Sequence, residues 1–96
     1  PKFPPVTMDL AVVADEAVPC EDVAAAIREA GGGILADVRL FDLYRGAPLS
    51  AGRKSLAFTL SFLSANKTLS DKDVEKPFAR IREAVKAKGW GIRENA

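Results

Sequence analysis

Ser55-Leu56-Ala57-Phe58-Thr59-Leu60-Ser61-Phe62 alternates without a fault. Leu56, Phe58, Leu60 and Phe62 share one parity and Ser55, Ala57, Thr59 and Ser61 the other, the period-two pattern of a strand with one face in a core. The second face is small and hydroxyl-bearing, where a merely solvated strand tends to carry Lys and Glu. Such a face leaves room for a flat ligand to approach.

Working outward, Gly46-Ala47-Pro48-Leu49-Ser50-Ala51-Gly52-Arg53 reads as a loop by its Gly and Pro content, and it joins the strand at 54–63 to one at 34–45. The parity of that second strand separates Val38, Leu40, Asp42 and Tyr44 from Arg39, Phe41, Leu43 and Arg45. Residues 6–14 alternate as well, with Val6, Met8, Leu10 and Val12 on one face and Thr7, Asp9, Ala11 and Val13 on the other. After a turn at 15–19, Val23, Ala26, Ile27 and Ala30 recur at helical spacing, with Glu21 and Asp22 in the first turn and Gly31-Gly32-Gly33 as the stop. Glycines that follow a helix form a cap and a turn; a phosphate-cradling loop would precede one. Beyond 64–69, Ser70-Asp71-Lys72-Asp73 resembles a capping box. Val74, Phe78, Ile81 and Val85 carry a second helix to near Gly89, in which Pro77 should bend the first turns. A short strand is expected at 90–94.

The order is strand, helix, strand, strand, helix, strand, in one domain over residues 1–96, with residues 1–5 as an extended lead-in. Two amphipathic helices cover one face of a four-stranded antiparallel sheet in this α+β class, the ferredoxin-like split βαβ arrangement. Right-handed crossovers give the strand order 4-1-3-2. The other sheet face stays bare.

Composition narrows the functions. The 96 residues are 48% hydrophobic and 28% charged, as in an ordinary globular unit. No stretch approaches the roughly 18 apolar residues of a membrane span, and no secretory signal pattern is found. Cys20 is alone, which excludes an internal disulfide and fits a reducing, cytoplasmic setting; its ordinary role is a small residue at a helix start. Histidine is absent, so Ser-His and Cys-His catalysis and imidazole metal sites are excluded, and no catalytic residue, metal site or cofactor is expected. The net charge of +1 is too small for nucleic-acid binding by bulk electrostatics alone. The opening Pro1-Lys2-Phe3-Pro4-Pro5 in place of a Met suggests an excised piece of a longer protein.

Pairing Arg45 with Lys54 sets Tyr44 opposite Ser55, Asp42 opposite Ala57 and Phe41 opposite Phe58. Opposed residues share a face, so this register puts Phe41, Leu43, Leu56 and Phe58 in the core. Asp42, Tyr44 and Ser55 then fall together on the bare face, joined by Ala11 and Asp9. Chemically they suit a base-reading site. A tyrosine ring stacks a base, a carboxylate accepts two bonds from an N–H edge, and a hydroxyl donates or accepts. Arg45, Arg53 and Lys54, with no acid between them, could meet one or two phosphates. Each element also has a plainer role, as an edge aromatic, a gatekeeping acid or a solvated turn. Residue chemistry alone does not separate a nucleobase from another small planar ligand.

Four stretches resemble the ferredoxin-fold anticodon-binding domain that closes the beta chain of bacterial phenylalanine–tRNA ligase. They are Lys2-Phe3-Pro4-Pro5-Val6 with Asp9-Leu10-Ala11; Val38-Arg39-Leu40-Phe41-Asp42-Leu43-Tyr44-Arg45-Gly46; Gly52-Arg53-Lys54-Ser55-Leu56-Ala57-Phe58; and Thr68-Leu69-Ser70-Asp71. The resemblance implies a non-catalytic module whose open sheet face receives the anticodon loop of phenylalanine tRNA and reads its first base, a guanine. Its partners would be that tRNA, the other domains of the beta chain and the alpha chain, with no membrane. By motif match, Tyr44 would stack on the base, Asp42 and Ser55 would hydrogen-bond its edge, and Ala11 would floor a neighbouring base. Met8-Asp9-Leu10 departs from the usual Arg-Asp-Leu, so a basic contact is missing or supplied elsewhere; Pro77 is also atypical.

Other classes make distinct demands. A small-molecule regulatory domain of the same fold would hold its ligand at helix–strand loops such as Gly31-Gly32-Gly33. An acylphosphatase-like enzyme needs an anion-cradling loop after the first strand, where this chain has the acidic Asp15-Glu16-Ala17-Val18-Pro19. A metal carrier would need a Cys pair there.

Overall fold

The alternating apolar runs form four antiparallel strands. The computed structural model describes residues 3–94, so Pro1 and Lys2 of the expected lead-in lie outside the described residues. In chain order the elements are β1 (Val6–Asp15), α1 (Cys20–Gly31), β2 (Leu35–Tyr44), β3 (Arg53–Phe62), α2 (Glu75–Ala87) and β4 (Gly91–Arg93), with a 3-10 turn at Asp71–Val74 leading into α2. The sheet order β2-β3-β1-β4 is the expected 4-1-3-2 read from the other edge.

Parity becomes burial on the two central strands. Leu56, Phe58, Leu60 and Phe62 of β3 and Leu10, Val12 and Ala14 of β1 are buried. All of these but Ala14 pack with Val23 and Ile27 of α1, Ile81 and Val85 of α2, and Val74 of the 3-10 turn in one hydrophobic core. Wholly burying a side chain of this size stabilises by about 1.5–3 kcal/mol. Gly31 is required by this packing: an added Cβ would lie 2.8 Å from the Leu35 Cβ.

The second helix starts in two steps. The backbone amide and hydroxyl of Ser70 both donate to the Asp73 carboxylate, at 2.9 and 3.1 Å, which bears out the capping box. In place of a bend at Pro77 there is a change of helix type before it. The 3-10 turn ends at Val74, so Pro77 is the third residue of α2, where a backbone N–H has no helical acceptor to lose.

The hairpin register holds at its tip and differs deeper in. Tyr44 pairs with Ser55, Leu43 with Leu56 and Asp42 with Ala57 as expected, but the ladder slips between Leu40 and Asp42, so Leu40 faces Phe58. The expectation that Phe41 packs opposite Phe58 in the core is therefore corrected. Phe41 is the extra residue of a β-bulge and is 53% exposed. Leu43 is corrected too: it shares the helix-side face with Leu56 yet remains 40% exposed. The reason is length. Ten-residue strands run about 33 Å, whereas helices of 12 and 13 residues run about 18–20 Å, so the β2–β3 hairpin outreaches the layer that would cover it. The radius of gyration, 13.8 Å, accordingly exceeds the roughly 12.5 Å of a compact chain of this length.

Candidate nucleic-acid interface

The sheet face opposite the helices is laid out in rows by the strand registers. Arg93, Ala11, Ala57 and Asp42 lie side by side across β4, β1, β3 and β2; in the next row stand Gly91, Val13, Ser55 and Tyr44. Two alanines at the centre leave the middle of the face low. The result is a groove of about 560 Å³ lined by Asp9, Ala11, Phe41, Asp42, Pro48, Ser55, Ala57, Arg93 and Glu94. Asp42, Ser55 and Ala11 are thus brought together, with Tyr44 next to Ser55 at the hairpin end.

Tyr44 is 38% exposed, and its hydroxyl donates to the Ala47 carbonyl at 2.5 Å, which ties the ring to the hairpin loop. The Arg93 guanidinium carbon lies 4.9 Å from the ring centroid. Two strands separate β4 from β2, roughly 14 Å at about 4.8 Å per neighbour, so the two side chains meet over the low floor. Such a cation–π contact is worth about 0.5–1 kcal/mol at an exposed site. Ser55 is 3% exposed and forms part of the groove floor.

The carboxylates of the groove differ in what they already hold. Asp9 accepts from the Thr59 hydroxyl at 3.2 Å across the β1–β3 pair. Glu94 accepts from Arg82 of α2 at 2.8 Å. Among the described residues no side chain or amide donates to Asp42, which is left as the groove's open acceptor.

The three basic residues of the hairpin are placed differently from the sequence reading. Acids absent from their own loop reach them from the end of β1. Arg45 grips Glu16 with Nε donating to Oε2 at 2.9 Å and Nη2 to Oε1. These hydrogen bonds, above all, hold the Glu16 carboxyl below its ordinary range and the Arg45 guanidinium above its own. Arg53 donates to Asp15 at 2.9 Å. Lys54 is on the helix-side face with Leu56, 7% exposed, and its Nζ donates to the Glu16 carbonyl at 3.0 Å. Arg53 thus ties the hairpin to the last residue of β1, and Arg45 and Lys54 tie it to Glu16 just beyond; none of the three lines the groove.

Phe41 and Arg93 belong to the groove and escaped the sequence reading. Phe41 was hidden because a bulge inside Leu40-Phe41 substitutes one apolar residue for another and leaves no mark on the pattern. Arg93 could have been found by pairing the last strand with β1, which places it beside Ala11.

Met8, where the resembling family has Arg, packs against the core. It lines a second depression with Val74, Phe78 and Arg82, on the helix side of the sheet, so the exchange removes no charge from the open face. The glycine turn after α1 is filled from within: Arg80 donates to the Ala30 and Gly31 carbonyls at 3.2 and 3.4 Å. No helix of the described residues is long and apolar enough to cross a membrane.

Residues 1–93 match the family model described as ferredoxin-fold anticodon binding domain. The chain is similar to the phenylalanine–tRNA ligase beta subunit of Symbiobacterium thermophilum, with 47% identity over 97% of this chain and 10% of that protein. The corresponding figures are 44%, 98% and 12% for the Moorella thermoacetica subunit, and 40%, 92% and 11% for that of Listeria innocua. The chain spans about a tenth of the length of these curated relatives.

Proposed function

Since the chain belongs to the ferredoxin-fold anticodon binding domain family, we propose that it is the anticodon-reading module of a phenylalanine–tRNA ligase beta subunit, with its open sheet face as the reading surface. The chemistry of the parent ligase lies elsewhere, in other domains and in an alpha chain. This module needs no cofactor and supplies selectivity.

In this reading the first anticodon base, a guanine, stacks on Tyr44. Its N1–H and N2–H donate to the Asp42 carboxylate, and the Ser55 hydroxyl completes the edge. Base stacking on an aromatic side chain contributes about 1–3 kcal/mol, and a bidentate base-edge contact discriminates by about as much. Ala11 gives a neighbouring base a floor without bulk. To settle on Tyr44, the base must share the ring with Arg93 or move it aside. Arg93, released, is then the nearest cation for the RNA backbone. Arg45, Arg53 and Lys54, the basic residues first considered for phosphates, are engaged within the protein, and a phosphate reaches Arg45 and Arg53 only in competition with Glu16 and Asp15.

The observation that carries the proposal is the unengaged carboxylate of Asp42, on the same uncovered face as the Tyr44 ring and the Ser55 side chain. The test is the affinity of Tyr44→Ala and Asp42→Ala for an RNA stem-loop carrying GAA, measured by calorimetric titration. Each variant should bind about tenfold or more weakly, with an unchanged circular dichroism spectrum. Parent-like affinity in both would show that the face has been misassigned.

A further inference from the structure

The bulge in β2 turns a second aromatic ring onto the open face. Phe41 is the residue left over where Leu40 pairs with Phe58 and Asp42 with Ala57, and bulges re-aim the side chain of the unpaired residue. Singly exposed apolar side chains are common and need no explanation. Phe41, however, lines both depressions of this face in company with Asp9, Ala11, Ala57 and Arg93. Ala11 and Ala57 carry only methyl groups, so nothing tall stands between the ring and a ligand. Tyr44 stands in the next row, about 7 Å along the strand. Four-stranded sheets that present aromatic side chains on an open face stack two or three unpaired bases; here both rings stand on the edge strand β2.

Charge says which part of the ligand enters. Asp9, Asp42 and Glu94 line this face against the guanidinium groups of Arg93 and of Arg82, the second held by Glu94, so acids outnumber bases, phosphates are kept to the rim and nucleobases turn inward. We infer that Phe41 is a second base platform, stacking the nucleotide adjacent to the one held by Tyr44, with Ala11 and Ala57 beneath it. This rests on the reading of Tyr44 given above and deepens it from one base to two.

The test titrates the 96-residue chain with a GAA stem-loop and with three versions abasic at the first anticodon base or at the base on either side of it. Phe41→Ala should raise Kd about tenfold on the intact loop and have no further effect on one of the two loops that lack a base flanking the first. Phe41→Leu should lose as much, because it keeps bulk but no ring, and Phe41→Trp should bind at least as tightly as the parent. Tyr44→Ala is the control and should be silent on the loop lacking the first base. Parent-like binding by Phe41→Ala, or an equal loss on every abasic loop, would overturn the second platform; an apolar contact with a protein surface would then be the role left for the ring. If Tyr44→Ala still weakens binding, the single-base reading survives that result. If neither variant weakens binding, both readings fall together.

Discussion

At the residue scale, the open face depends on a few side chains whose chemistry is ordinary and whose placement is not. Asp42 is the clearest case, because an exposed edge-strand acid is ordinary until its neighbours are known. Asp42→Asn keeps the shape but replaces one acceptor oxygen with a donor, so the preference for guanine over adenine at the first base should shrink by about 1–3 kcal/mol. The ratio of the two Kd values for stem-loops differing at that base measures it. Met8 shows the opposite lesson: a departure from the family's residues that suggests a lost contact lies on the far side of the sheet from the groove. The roles of Asp42, Tyr44 and Ser55 were suggested by motif resemblance, and their common face by strand parity. Phe41 and Arg93 were not foreseen, the first because bulges leave no trace within an apolar run, the second because a three-residue strand has too little alternation to fix its facing.

At the element scale, the start of α2 carries a dependence on pH. The Ser70 amide and hydroxyl hold the Asp73 carboxyl below its ordinary range, with Lys67 adding a smaller contribution. A carboxyl whose folded pKa is depressed contributes stability above its unfolded value and loses it as pH falls through the folded value. Amide exchange across residues 71–75 should therefore gain in relative rate, against the core strands, as the solution is acidified below the usual Asp range. Asp73→Asn should remove most of that difference and lower Tm near neutrality. The capping box was legible because Ser70 and Asp73 are three apart before an apolar run. The 3-10 turn was not, since its cause is the later placement of Pro77, which fits the first turn of an α-helix as well as it kinks the interior of one.

At the scale of the whole molecule, the layered plan and strand order followed from six alternating or helical stretches and their chirality. What composition could not give is the mismatch between 10-residue strands and shorter helices, which leaves the hairpin without a cover. That mismatch makes a sharp prediction about stability. Phe58→Ala, which empties a site in the closed part of the core, should cost about 3–5 kcal/mol. Phe41→Ala, on the open face, should stay within about 0.5 kcal/mol of the parent. Urea unfolding of the two variants decides it, and a large loss at Phe41 would mean that the bulge is packed rather than presented.

The central claim is that the sheet face away from the helices, and no other surface, reads the first anticodon base. Amide chemical-shift mapping of the chain with a GAA stem-loop, and with one beginning in A, tests it most directly. Shifts should cluster on Ala11, Asp42, Tyr44, Ser55 and Arg93 and diminish when the first base is changed. Shifts centred on α1 and α2, or the same response to both loops, would contradict it.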